Sequence, residues 1–237
     1  DAARLPAVRA DRAAAASAWF QAHAGEWDAI RSLHVAESQV EAAMTAVLGI
    51  DRTGAGSVGR LVDIGTGTGR MIELFGDRAE SAIGIDRSSE MLRLARAKLA
   101  ESGRAADLRQ ADLYALPMAA RSADLAILHH VLHFAHQPAA AIGEAARVLA
   151  PGGRLLIVDF APHEREELRA QEAHARLGFS DEQMLGWFEA AGLSPVRIET
   201  LAGGELTVIL WLARKHVPGG EAGLRGQADR LDEVKAA

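Results

Sequence analysis

The chain has 237 residues, 49% of them apolar, and a net charge of −6 with histidine neutral. That supplies the core of one large domain and is the wrong sign for a segment that grips nucleic acid through a basic surface. The absence of cysteine removes disulfides, thiolate metal sites and cysteine nucleophiles and is compatible with a reducing cytoplasm, the expected location. No apolar run approaches the roughly 20 residues that span a bilayer, so no membrane partner is expected. The opening DAARLPAVRADRAAAASAWF lacks the apolar centre of a signal peptide. Because it starts on Asp rather than Met, the chain reads as processed or cut from a longer one.

In chain order, the Ala-rich residues 7–34 are expected to be helical, with Ala18, Trp19, Ala22, Trp27 and Ile30 near helical spacing. AESQVEAAMTAVL at 36–48 forms a second, amphipathic helix. Residues 1–50 thus make a helical extension, and the Gly-rich DRTGAGSVG at 51–59 links it to the main domain. The pattern then changes to apolar strands alternating with helices: RLVDIG (60–65), SAIGID (81–86), ADLRQAD (106–112), ADLAILH (123–129) and GRLLIVDF (153–160) read as strands. Between them lie GRMIELFGDR, SEMLRLARAKLAESG behind a Ser88 N-cap, and PAAAIGEAARVL with Pro in its first turn. Continuous Leu/Ile/Val runs of this kind belong to a parallel sheet covered on both faces. HEREELRAQEAHARL reads as a polar helix, FSDEQMLGWFEAAG as a helix with a Ser180–Gln183 capping box, and two strands around Gly203-Gly204 as an antiparallel hairpin. The core domain is therefore expected over 51–216, and 217–237 as a polar tail.

The chemistry is carried by LVDIGTGTGR at 61–70, a strand that ends in three alternating glycines before a helix. Such a turn lets a ligand lie against backbone, with free N–H groups of the helix behind it. A dinucleotide motif, G-x-G-x-x-G/A, would place Arg70 where a small residue is needed. The pattern Asp-x-Gly-x-Gly-x-Gly fits in full, with Asp63, Gly65, Gly67 and Gly69. An acid there suits an ammonium group and would repel a pyrophosphate. Asp86 closes the second strand, where a carboxylate can accept ribose hydroxyls, and Asp112 closes the third.

With these residues the sequence resembles the class I S-adenosylmethionine (SAM)-dependent methyltransferases, from about residue 35 to 215. The resemblance implies a Rossmann-like α/β fold with seven strands, mostly parallel, and a reversed last strand. It implies that Asp63 helps hold the amino-acid end of SAM, that Gly65 and Gly67 accommodate the nucleoside with Thr66 a cofactor contact in the same turn, that Arg87 and Met91 flank the adenine beside Asp86, and that Asp112 accepts the adenine amino group while the Leu113 N–H contacts the ring. RVLAPGGRLLIVDF matches the family's fifth-strand segment. A narrower resemblance joins WFQAHAGEWDAIRSLH, HHVLHF, VDFAPHE and RLGFSDEQMLGWFEAAGL to the bacterial methyltransferase-like domains behind ArsR-type winged-helix regulators, and more distantly to ubiquinone/menaquinone-biosynthesis methyltransferases. Arsenite methyltransferases are also similar, but their chemistry uses thiolates that this chain lacks.

In relatives an aromatic–acid pair such as Trp27-Asp28 folds over the methionine end of SAM; Trp27 is equally well read as an anchor of the extension. Arg31 and His34 share that helix and read as a solvated face. His163 lies past the fifth strand, as a substrate contact or a plain loop residue, and the charged stretch from Glu164 to Glu182 reads as a solvated face or lid. The stretch ILHHVLHFAH holds His129, His130, His133 and His136, whose spacing suggests a metal site at first sight. Once the strand is ended at His129, helical spacing no longer applies, and no carboxylate is close in sequence, so no metal site is expected. His129 then lies beside the transferred methyl group, His133 on the substrate side, and either is the candidate base; His130 points elsewhere and His136 lies at the surface. The expected activity is SAM-dependent methyl transfer to a small-molecule acceptor, with S-adenosylhomocysteine as product. The alternative is a SAM or S-adenosylhomocysteine sensor that reports to an upstream DNA-binding domain without turnover. A dehydrogenase is disfavoured by Asp63 and Arg70. No oligomeric state is fixed, and a homodimer is carried as one option.

Overall fold

The computed structural model describes residues 36–50, 56–202 and 204–218. The helix expected over 7–34, most of the linker and the tail from 219 lie outside them. The described elements are α1 (Glu37–Val47), β1 (Gly59–Ile64), α2 (Arg70–Phe75), β2 (Ala79–Asp86), α3 (Ser89–Glu101), β3 (Asp107–Gln110), β4 (Ala123–His129), α4 (Pro138–Val148), β5 (Leu149–Phe160), α5 (Glu167–Gln171), α6 (Asp181–Ala190), β6 (Leu193–Leu201) and β7 (Val208–Lys215). The seven strands form one sheet in the order β3-β2-β1-β4-β5-β7-β6. Strands β1 to β5 pair in parallel, and β7 runs antiparallel to both β5 and β6. The fold is the expected one, with the reversed strand inserted between β5 and β6.

Alternation along the strands sends side chains to two cores. Leu125 and Ile127 of β4 pack with Leu156, Val158, Leu210 and Val40 and Met44 of α1. Ala126 and Leu128 pack with Ile157, Trp211, Ile142 of α4 and Phe188 of α6. His129 follows Leu125 and Ile127 at the carboxyl end of β4, on the side covered by α1. Because β4 and β5 run in parallel with His129 opposite Val158, both strands deliver their last residues to the same level.

Two elements differ from the sequence expectation. β5 begins at Leu149, four residues before the expected strand over 153–160, since the β4–β5 register jumps from Ala123↔Leu149 to Leu125↔Arg154 and loops the intervening APGG out; Gly152 takes φ +78 there. The long polar helix over 163–177 shrinks to the five residues of α5. Ala173 turns left-handed at φ +58, His174 enters the interior at 4% exposure, and the Ala175 and Arg176 N–H groups donate to the His133 carbonyl at 2.8 and 2.9 Å. Glu164, Glu166, Glu167 and Arg169 stay exposed, so the charged face is solvated as expected, while His174 and the backbone at 175–176 brace the turn after β4. The Ser180–Gln183 capping box is present on α6.

The amino edge of the sheet is fastened by a forked ion pair between β1 and β4. Arg60 Nε donates to Asp124 Oδ2 at 2.8 Å, a second guanidinium nitrogen to Oδ1 at 2.9 Å and the Arg60 backbone N–H to Oδ2 at 2.9 Å. Gly59 lets the carboxylate come this close, because a Cβ there would lie 2.8 Å from it. The Arg60 side-chain hydrogen bonds hold the Asp124 carboxyl down to about 2, against the opposing cost of burial. A lowered folded-state value means that the contribution is complete above the ordinary carboxylate range and fades as pH falls toward 2. Both side chains are more than a third exposed, so solvent screening reduces it to about 0.5–1 kcal/mol. Asp124→Asn is expected to lower stability by that amount at pH 7, and denaturant melts should show the wild-type advantage disappearing near pH 2.

Candidate functional site

The turn after β1 adopts a backbone that side chains would resist. Gly65, Gly67 and Gly69 have φ of +77, +52 and +87, and a Cβ on Gly65 would lie 2.5 Å from Val131 Cγ2. The Gly65 and Thr66 N–H groups donate to the Ile85 carbonyl at 2.7 and 2.9 Å. Asp86, the last residue of β2, accepts the Gly67 N–H at 2.9 Å on one oxygen and the Ser88 N–H at 2.8 Å on the other. Burial pushes the Asp86 carboxyl up, and these N–H donors act against that. Asp63 is 1% exposed and accepts the Thr66 hydroxyl at 2.6 Å.

One cavity opens over this turn at the carboxyl ends of the strands, where open α/β sheets take their ligands. Its lining includes Asp63, Gly65, Thr66 and Gly67 of the turn, then Asp86, Arg87 and Met91, and then Asp112, Leu113 and His129. Ten of the eleven residues singled out for SAM are therefore brought together, and Trp27 lies outside the described residues, as do Asp28, Arg31 and His34. Asp112 sits two residues beyond β3, exposed, and accepts the Tyr114 N–H at 3.0 Å. Tyr114, which the sequence did not single out, stands on the rim, and its hydroxyl accepts the Gln137 N–H at 3.1 Å. Arg70 also lines the cavity, and Glu41 of α1 holds its guanidinium at 2.6 and 2.8 Å.

The histidines fall differently from their expected places. His129 lines the cavity, is buried, and presents Nε2 3.7 Å from Glu37 Oε1 of α1. His130 also lines the cavity, which corrects the expectation that it points away. Strand alternation stops at His129: His130 takes φ +53, its N–H donates to the Val158 carbonyl at 2.8 Å, and its ring packs 4.6 Å from that of His129. A left-handed non-glycine residue costs on the order of 1–3 kcal/mol. His136 is half-buried and lines the cavity too, because the turn at 132–134 folds it back; it is not a simple surface residue. His133 is not among the lining residues. It sits behind the wall at 2% exposure, with Nδ1 2.8 Å from Asp159 Oδ1 and its ring 4.3 Å from that of His174. Burial holds His174 down to about 4, so that ring is neutral at pH 7. His163 packs edge-on to Phe160, outside the cavity lining. Sequence reasoning misses Glu37 and Asp159. A signal for Asp159 exists, since parallel neighbours end together and VDF ends beside LHH.

Comparison with known proteins bears on this geometry. Residues 62–157 match the methyltransferase-domain family. Over 189 residues the chain is 33% identical to the ubiquinone/menaquinone biosynthesis C-methyltransferase UbiE of Syntrophotalea carbinolica, covering 68% of this chain and 78% of that protein. The chain belongs to the class I SAM-dependent methyltransferases. This methyltransferase is also 38% identical over 106 residues to the demethylmenaquinone methyltransferase of Thermus thermophilus, covering 44% and 48% of the two chains. A structure described as a candidate methyltransferase from Bacillus halodurans superposes with a TM-score of 0.66 at 18% identity, covering 75% of this chain and 99% of that one. The cofactor of the family is SAM, and the cavity suits it. A bare-backbone turn that a Cβ would block lies beside carboxylates able to meet an ammonium, a ribose diol and an exocyclic amine. Asp86→Ala is expected to weaken SAM binding about 100-fold in calorimetry, the loss of two hydrogen bonds to a charged acceptor. Asp86→Asn, with one acceptor oxygen kept, should fall between. Unchanged affinity in both would remove Asp86 from the ribose.

Proposed function

We propose that this methyltransferase transfers the methyl group of SAM to a small-molecule acceptor that enters the cavity on the side of His129, His130 and His136. The observation that carries the reading is that Asp63, Asp86, Asp112 and the glycine turn line the same cavity as His129. The similarity to a ubiquinone/menaquinone C-methyltransferase supports an acceptor with an electron-rich carbon, as in a hydroxylated aromatic ring.

SAM supplies an electrophilic methyl carbon on a sulfonium. For the chain, the task is alignment and exclusion of water. In this reading Asp63 holds the ammonium, Asp86 the ribose hydroxyls, Asp112 the adenine amine and the Leu113 N–H the ring, while Arg87 and Met91 flank the base. These contacts fix the sulfonium end toward the carboxyl end of β4. An acceptor whose hydroxyl or ring carbon must lose a proton needs a base there, and His129 is the candidate: its imidazole would take the proton, and the Glu37 carboxylate would stabilise the cation formed. His133, behind the wall, would act only through its neighbours.

With labelled SAM and a set of cell metabolites, wild-type protein should give one or more methylated products. His129→Ala should lower kcat by about 100-fold while SAM affinity changes far less. Tight SAM binding with no product from any metabolite pool would point instead to a ligand sensor without turnover, and failure to bind SAM would remove both readings.

A further inference from the structure

Reaching behind the cavity wall from His130 lies a group of side chains to which methyl transfer assigns no chemical step. One ring nitrogen each of His130 and His133 and one carboxylate oxygen of Asp159 lie within 4.8 Å of one another. Their residues are 5%, 2% and 0% exposed. A carboxylate this deeply buried needs a compensating charge. Asp159 receives the His133 N–H at 3.2 Å, the Phe160 N–H at 2.8 Å and the His133 ring at 2.8 Å, with the two histidines as its electrostatic partners.

From this geometry we infer that His130, His133 and Asp159 form a binding site for a divalent transition-metal ion of the zinc class. Imidazole and carboxylate donors bind such ions at about 2.0–2.2 Å, which sets tetrahedral donors about 3.4 Å apart. His133 Nδ1 and Asp159 Oδ1 lie 2.8 Å apart, so that pair opens slightly on binding, and the His130 nitrogen lies within 4.8 Å of both donors. Two nitrogens and one oxygen, with no thiolate, suit zinc, cobalt, iron or manganese over softer ions. The two backbone N–H groups on Asp159 supply the outer support that orients a ligating carboxylate. Binding replaces the proton shared between His133 and Asp159, which passes to solvent. Three protein ligands leave a coordination position, and because His130 lines the cavity, an oxygen ligand such as water or a hydroxyl can reach it from there. The site stands independently of the acceptor proposed above.

The test uses the untagged full chain, stripped with chelator and titrated with Zn2+ by calorimetry and with Co2+ by visible absorption. One equivalent should bind with micromolar or tighter affinity, Co2+ should show the intense bands of a four-coordinate site, and the thermal midpoint should rise with metal. His130→Gln and Asp159→Asn should each weaken binding at least 100-fold. Should buried Asp159→Asn fail to fold, His130→Gln decides alone. His216→Gln, which alters a histidine paired with Ser194, should bind like wild type. Absence of stoichiometric binding, or equal binding by His130→Gln, overturns the site. SAM titrated into the same samples separates the two ideas: SAM binding without metal binding removes only the metal site, and metal binding without SAM binding removes only the methyl-transfer reading.

Discussion

The carboxylate of Asp86 holds the site together before any ligand arrives. It reaches from the end of β2 to the Gly67 N–H and to the first residues after its own strand. Two neighbouring parallel strands thereby share one hydrogen-bonded junction at the point where a ligand must lie. Glycine takes the left-handed backbone without steric cost, and this junction and the Ile85 carbonyl fix the path of the turn. Asp86 is retained there despite the cost of burial because the backbone donors, and the hydroxyls it is proposed to receive, are worth more to an ionised acceptor than to a neutral one.

The centre of the sheet is legible in the sequence because β1, β4 and β5 are near-continuous apolar runs, while the edge strand β3, DLRQ, is mostly polar. The Asp63–Gly69 turn is legible because few backbones need glycine at alternate positions with an acid two residues upstream. Geometry beyond the last hydrogen-bonded residue of a strand is not. Alternation predicts where His129 goes and fails at His130, whose positive φ depends on the Val158 carbonyl. The charged stretch around α5 reads as a solvated helix because so many of its residues ionise readily. His174 is buried there by a backbone reversal at Ala173 that leaves no compositional trace. Asp159 lies 26 residues from His133 and becomes its neighbour only through strand order.

The interior around Phe160 is unusually rich in imidazole. Its ring lies 4.9 Å from that of His130, 5.1 Å from His133 and 5.9 Å from His174. An aliphatic core would stabilise this region as well without polar satisfaction. Keeping several imidazole rings and a carboxylate there commits the protein to a network in which each buried polar atom needs a partner. Such a network is costly to hold by packing alone, and of its rings His130 is the one that lines the cavity.

Helix α1 carries Glu37 and Glu41, one turn apart on the same side. Glu37 faces His129 at 3.7 Å, and Glu41 grips Arg70 at the start of α2 at 2.6 Å. Each residue of a helix advances it by about 1.5 Å, so a slip of one residue along its axis would release both contacts together. The helix is therefore a strut pinned at two points of the cavity lining, at His129 and at the Arg70 that begins α2.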